Sequence, residues 1–246
     1  MKKSILLMAT VLTIYFSQAQ SSTDSAVFEP STSVKWNYGS LYFGKVSLFG
    51  EYNYKHKKSF TFAVGIPVTH STTVEIDDKD RDIEMKSFSA MAGYRMYLGK
   101  KTMTGVYFEP YLKYLNNEAS TIIDEDLDNR TVNFLTTSNY SGAGIGAQLG
   151  VQFTIAKKLV FDFFFLGPEA NIASHKVILK DMDSALPWTQ VEAQDAEREI
   201  KETLSDIPII GDKIDVVVDA NTKTVTSDYR GFLPGLRFGL SVGYRF

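Results

Sequence analysis

The sequence predicts an all-β chain folded as an eight-stranded antiparallel, up-and-down transmembrane β-barrel, with a short helix in its last long outer loop. Three observations carry that prediction. From Leu236 to Phe246 every even position is apolar or aromatic and every odd one is Gly, Ser or Arg, which is a single strand with two opposed faces. The same two-faced pattern recurs along the chain with all its charges on one face. The connections alternate between short basic turns and long acidic stretches.

In chain order, Lys2 and Lys3, an apolar run from Ile5 to Phe16, and Ser17, Gln18 and Ala19 read as a secretory signal peptide over 1–19. The run is too short for a membrane helix, which takes roughly 20 apolar residues. Residues 20–33 form an N-terminal leader, and the barrel occupies 34–246. The chain has no Cys, which excludes disulfides, thiolate metal sites and a cysteine nucleophile. Loss of Lys2 and Lys3 makes an already mildly acidic chain slightly more so, which argues against nucleic acid as a partner.

Strands with one apolar face are expected at 45–54, 59–68, 87–98, 105–114, 142–154, 159–166 and 236–246. An even number is needed if both ends of a closed antiparallel wall lie on one side. An eighth strand is therefore required from Ser33 to Phe43, through Val34, Trp36 and Tyr38, reversing near Gly39 and Ser40 or at Gly44. Short turns fall at 55–58, 99–101 and 156–158. Long loops fall at 69–86, 115–141 and 172–230 and are assigned to the exterior, because outer-membrane barrels keep their short turns in the periplasm.

The apolar face of these strands carries no charge. The opposite face carries Glu51, Arg95, Glu109, Lys113, Asp162, Arg237 and Arg245, along with Lys45. A soluble barrel would turn its charges outward, but charge facing lipid at the midplane costs about 2–4 kcal/mol. The charged, glycine-rich face is therefore read as the lumen, where Glu51, Glu109 and Asp162 neutralise Arg95, Lys113, Arg237 and Arg245 and plug the interior. Phe49, Met91, Val160, Phe164 and Leu166 share that inner face and leave room for a small apolar pocket. On the outer face Leu240, Val242, Tyr244 and the terminal Phe246 resemble the C-terminal signal by which bacterial outer-membrane barrels are recognised and inserted.

Within 172–230, Thr189 and Glu192 form a capping-box pattern before Ala193, Ala196, Ile200 and Leu204. A helix over about 189–205, stopped by Pro208, is expected. Lys213 to Val218 and Thr222 to Ser227 flank Asp219 and Asn221 as a hairpin extending the wall.

The signal peptide, "SLYFGKVSLFGEYNYKHKKSFTFAVGIP", "FFFLGPEA", "DIPIIGDKID" and "LPGLRFGLSVGYRF" together resemble a family of small outer-membrane barrels of Bacteroidota-type bacteria, known only as a domain of unknown function. The resemblance covers almost the whole mature chain and rests on structural motifs: Glu51, Gly167 with Pro168 at the outer end of a strand, and Phe246. It implies a bacterial outer-membrane location and brings no catalytic residues with it.

The expected role is therefore non-enzymatic, without a cofactor: an integral envelope protein that binds, or supports the envelope, through its acidic outer loops. Expected partners are outer-membrane lipids and lipopolysaccharide, the barrel-assembly machinery during biogenesis, and an extracellular or envelope protein. The alternatives are a narrow transporter for small apolar molecules and, further off, a lipid-active hydrolase. A hydrolase would need a Ser/His pair near the outer rim, and His70 beside Ser71 or His175 beside Ser174 cannot supply one within a strand, where consecutive side chains diverge. Asp124, Asp126 and Asp128 alternate like calcium ligands. An EF-hand loop, however, needs Gly sixth and Glu twelfth, where Asn129 and Leu135 stand, so a solvated acidic loop is expected. Asp77, Asp78, Asp80 and Asp82 read the same way.

Overall fold

The computed structural model describes residues 29–76, 79–127, 130–182, 187–205 and 211–246, leaving the expected signal peptide and most of the leader outside the described residues. Ten strands form one antiparallel sheet: β1 Ser31–Asn37, β2 Lys45–Lys55, β3 Lys58–Pro67, β4 His70–Ile76, β5 Lys79–Tyr97, β6 Gly105–Leu127, β7 Arg130–Ile155, β8 Leu159–Asp181, β9 Ile214–Asp219 and β10 Thr224–Arg245. Eight of them close into a ring in the order β1, β2, β3, β5, β6, β7, β8, β10. The ring closes where Val34 pairs Tyr244 and Trp36 pairs Val242.

The first strand is where the parity argument required it, although it begins at Ser31, inside the segment expected as leader. Its reversal runs through a 3-10 helix, Tyr38–Phe43, that ends on Gly44 at φ 65°. A Cβ there would lie 2.3 Å from the Met85 carbonyl oxygen, and the Gly44 carbonyl accepts the amides of Val68 and Ser87, so only glycine fits this corner.

The expected long loops are largely strand. Residues 115–127 and 130–141 continue β6 and β7 in unbroken register from Leu115–Gly142 to Leu127–Arg130, and 69–86 contains β4 paired with the start of β5. Their sequence hid this because it is polar on both faces. A ladder of backbone hydrogen bonds needs no apolar alternation, and Thr121, Ile122, Ile123, Thr131 and Val132 favour extended backbone. The wall is consequently uneven, with β1 to β3 short and β5 to β8 and β10 tall.

The hairpin of β9 and β10 and the helix α1 Gln190–Ser205 stand as expected. The Thr189 amide donates to the Glu192 carboxylate at 2.7 Å, and the Glu192 amide donates to Thr189 Oγ1 at 3.3 Å, a reciprocal cap. Pro208 lies outside the described residues. In the upper strands Val132, Phe134, Val216 and Val225 are each buried, and the Trp188 ring lies edge-on to Phe134.

One irregularity changes the inner face. Leu149 pairs Leu166 but Gly150 pairs Phe164, so β8 holds one extra residue at Phe165 and Leu166. Both side chains point outward, which corrects the inward placement of Leu166. Beyond the bulge Gly167 and Glu169 turn into the ring, so Gly167 and Pro168 sit mid-strand and not at an outer strand end.

Candidate functional site

The interior of the ring is built from the register pairs of its strands. Tyr107 and Tyr111 on β6 lie opposite Gly150 and Gly146 on β7. A Cβ on either glycine would meet the tyrosine ring at 2.3–2.5 Å, so each large side chain occupies the space a glycine leaves. At the short-turn end Met103, Tyr97 and Tyr107 pack together, all at most 3% exposed.

Directly above them sits a buried ion cluster. Lys35 Nζ donates to Glu51 at 3.0 Å, Gln152 Oε1 at 2.8 Å and Asp162 at 2.6 Å, using all three of its protons. Arg95 Nε donates to Glu109 at 2.6 Å, and its Nη1 lies 2.8 Å from Asp162 and Gln152 and 3.3 Å from Glu51. The guanidinium carbon is 3.7 Å from the centre of the Tyr107 ring. Three carboxylates face two cations, and hydroxyls take up the remaining lone pairs: Tyr97 donates to Glu51 at 2.5 Å, Tyr107 to Asp162 at 2.7 Å and Thr61 to Glu109 at 2.6 Å. Every charged member is at most 2% exposed. Such a set is tolerable out of water only because each charge is both paired and hydrogen-bonded.

Of the residues read from the sequence as the lumen network, the structure brings Glu51, Arg95, Glu109 and Asp162 together and leaves Lys113, Arg237 and Arg245 apart. Lys113 sits higher and pairs with Glu169, which also accepts from Tyr111 at 2.9 Å. Arg237 has no carboxylate partner among the described residues. It lies 4.7 Å from the Phe164 ring centre and 5.3 Å from that of Tyr111, and it donates to the Met91 sulfur. Arg245 is at the turn end, half-buried, and likewise without a paired acid among the described residues. Two members of these clusters were missed. Lys35 alternates with Val34 and Trp36 and is inward by that parity alone, so its strand carried the signal. Glu169 reads as outward until the bulge reverses β8, and no sequence signal marks the bulge.

The remaining candidates fall outside this cluster. Leu240, Val242, Tyr244 and Phe246 all face outward on β10 or just past it, exposed by 39–74%. His175 turns away from Ser174 and meets Ser138 Oγ at 2.9 Å across the β7–β8 pair, in the upper sheet, where burial lowers its pKa below the usual histidine value. No carboxylate orients that imidazole among the described residues, so the pair lacks the third group of a hydrolytic triad. His70 and Ser71 are consecutive in β4 and diverge. Asp124 is held by Lys79 and Arg81, and the Lys79 hydrogen bond keeps its carboxyl below the usual range. The Asp126 side chain and Asp77, Asp78 and Asp128 lie outside the described residues. Asp82 accepts from Thr73. Among the described residues no three His, Cys, Asp or Glu converge as metal ligands. The chain matches no family model, no curated protein and no solved structure.

Proposed function

We propose that the chain is an integral bacterial outer-membrane β-barrel that acts by binding, with a lumen sealed to ion flow and no catalytic centre. The observation that carries this reading is the Lys35–Arg95 cluster, whose hydrogen bonds link side chains of seven of the eight ring strands across the interior, with the Tyr97, Met103 and Tyr107 layer beneath it. Eight strands enclose a width that side chains alone can fill. The outward faces support the membrane placement. Trp36, Leu48, Phe62, Ile66, Leu112, Ile145, Phe163, Leu236 and Phe238 are all at least 40% exposed, while Lys35, Glu51, Glu109 and Asp162 on the same strands are buried inside the ring.

In this reading lipid covers the wall. Lipopolysaccharide meets the rim, and the tall strands with α1 present the surface for an envelope or extracellular protein partner. The sequence resemblance to small barrels of Bacteroidota-type bacteria points to the same compartment. Planar-bilayer recording of the purified protein tests the sealed lumen. Silence at all applied voltages is expected, and steady ohmic currents would overturn it.

A further inference from the structure

The ring is closed over a short height only. β1 pairs β10 from Ser33–Arg245 to Trp36–Val242, and β9 pairs it from Ile214–Tyr229 to Asp219–Thr224. Between these, from Arg230 to Ser241, no strand among the described residues pairs with that edge of β10, because β1 ends at Asn37 and turns into the 3-10 helix, which touches β10 without pairing with it. An open strand edge facing hydrocarbon is too costly to persist unless it lines a polar cavity or is covered.

A cavity of about 510 Å³ lies behind this gap. Its lining includes inward side chains of the lumen together with the outward-facing Leu236, Phe238 and Leu240, so it opens through the wall as well as into the ring. The ion cluster lies below it, Glu51 and Asp162 being one inward position down β2 and β8 from the lining residues Phe49 and Phe164. This volume falls within the range of pockets that hold one small organic ligand.

Its charge is one-sided. Lys45, Lys113 and Arg237 line it against a single acid, Glu169, which Lys113 already neutralises. Neither Lys45 nor Arg237 has a carboxylate within ion-pair distance among the described residues. Arg237 rests on the ring faces of Phe49, Tyr111 and Phe164, which hold the guanidinium in place without cancelling its charge as a carboxylate would. Lys45 is within electrostatic reach of Arg237 and Lys113 and, more weakly, of Glu169, so positive charge predominates at this spot. The mouth is apolar by contrast, framed by Tyr38, Phe43, Leu236 and Phe238, each at least 56% exposed.

We propose that this cavity binds a single-chain amphiphile with an anionic head, the head held between Arg237 and Lys45 and the aliphatic chain leaving sideways across Leu236 and Phe238. A carboxylate or phosphate accepts from a guanidinium in bidentate fashion, and an ammonium supplies the second positive charge. The chain then covers the edge of β10 that no strand covers. The inference rests on the outer-membrane reading, since only a lipid-facing mouth gives the tail an apolar surrounding.

The test uses the full mature chain in phosphatidylcholine nanodiscs, titrated calorimetrically with dodecanoate, dodecyl phosphate and dodecanol against empty discs. Saturable one-to-one binding of an anionic probe, with dodecanol at least ten-fold weaker, is expected. Tighter binding of dodecanoate identifies a fatty-acid type of head, and tighter binding of dodecyl phosphate a lipid-phosphate type. Arg237→Gln and, separately, Lys45→Gln should each weaken the anionic probe at least ten-fold while keeping the wild-type melting temperature within a few degrees. Two variants on different strands guard against one that misfolds. Equal binding of dodecanol, no binding of either anion, or anion binding unchanged in both folded variants would overturn the proposal. Because conductance is recorded separately, a silent bilayer with no anion binding overturns this site alone, and open currents overturn the sealed barrel.

Discussion

Lys35 Nζ lies 2.6 Å from Asp162 Oδ2, joining β1 to β8 across the intervening β10. The bond spans 127 positions of sequence and ties the strand that closes the ring to the wall that was already paired. Charge satisfaction inside and ring closure outside are therefore one event: Lys35 is buried only when β1 is docked on β10, and Asp162 has its full set of donors only when Lys35 arrives.

The first prediction concerns that cluster. Glu109→Gln keeps the shape and leaves Arg95 paired with Asp162 and Glu51, but turns its 2.6 Å charge-assisted bond into a neutral one in a buried cluster, which should cost about 1.5–3 kcal/mol. Asp195→Asn, whose pairing with Arg198 on α1 is exposed, should leave thermal unfolding in detergent unchanged. Equal melting temperatures for the two variants would mean that water reaches the cluster.

Ring closure has its own test in Gly243, which pairs Lys35. A Cβ at this position would lie 2.0 Å from the Val34 carbonyl oxygen and 2.7 Å from Lys35 Cγ. Backbone cannot yield as a side chain can, so Gly243→Val should destabilise by about 1–3 kcal/mol and loosen β1 first. Hydrogen exchange should show faster exchange at the amides of Val34 to Trp36 than at those of β6 and β7. A uniform change across the ring would contradict local undocking.

A third prediction addresses insertion. Tyr244→Asp, or deletion of Phe246, removes an exposed aromatic from the outward stripe of the last strand. Cell fractionation should then find the protein in the periplasm. Wild-type amounts in the outer membrane would count against the stripe as an insertion signal.

His175 predicts a pH response in the upper sheet. Burial lowers its pKa from 6.5, so on acidification the unfolded chain takes up a proton before the folded one does. Stability is greatest above about pH 6.5, falls as the pH drops towards the lowered folded value and levels off below it. Hydrogen-exchange protection factors of the β7–β8 extension, taken relative to the intrinsic amide rate at each pH, should fall between pH 7.5 and 5 by this route, and His175→Gln should flatten the dependence. An unchanged slope in that variant would assign the response elsewhere.

The sequence by itself determined what depends on alternation and parity. Leu236 to Phe246 specifies a two-faced strand, the even-strand requirement places β1 near Val34 and Trp36, and Thr189 with Glu192 fixes the start of α1. Those are local patterns, set by the two-residue period of a strand and the geometry of a helix cap. The tertiary structure decided what depends on stagger. Which acid meets which base follows from how far each strand slides past its neighbour, so Lys35 took the place expected for Lys113, Arg237 and Arg245. A single extra residue at Phe165 and Leu166 turned Leu166 out and Glu169 in. The tall strands escaped sequence reading because polar hairpins satisfy their backbone without an apolar face. The gap beside β10 escaped it because a missing partner is a property of two strand ends, Asn37 and Ile214, that only the fold brings to the same edge.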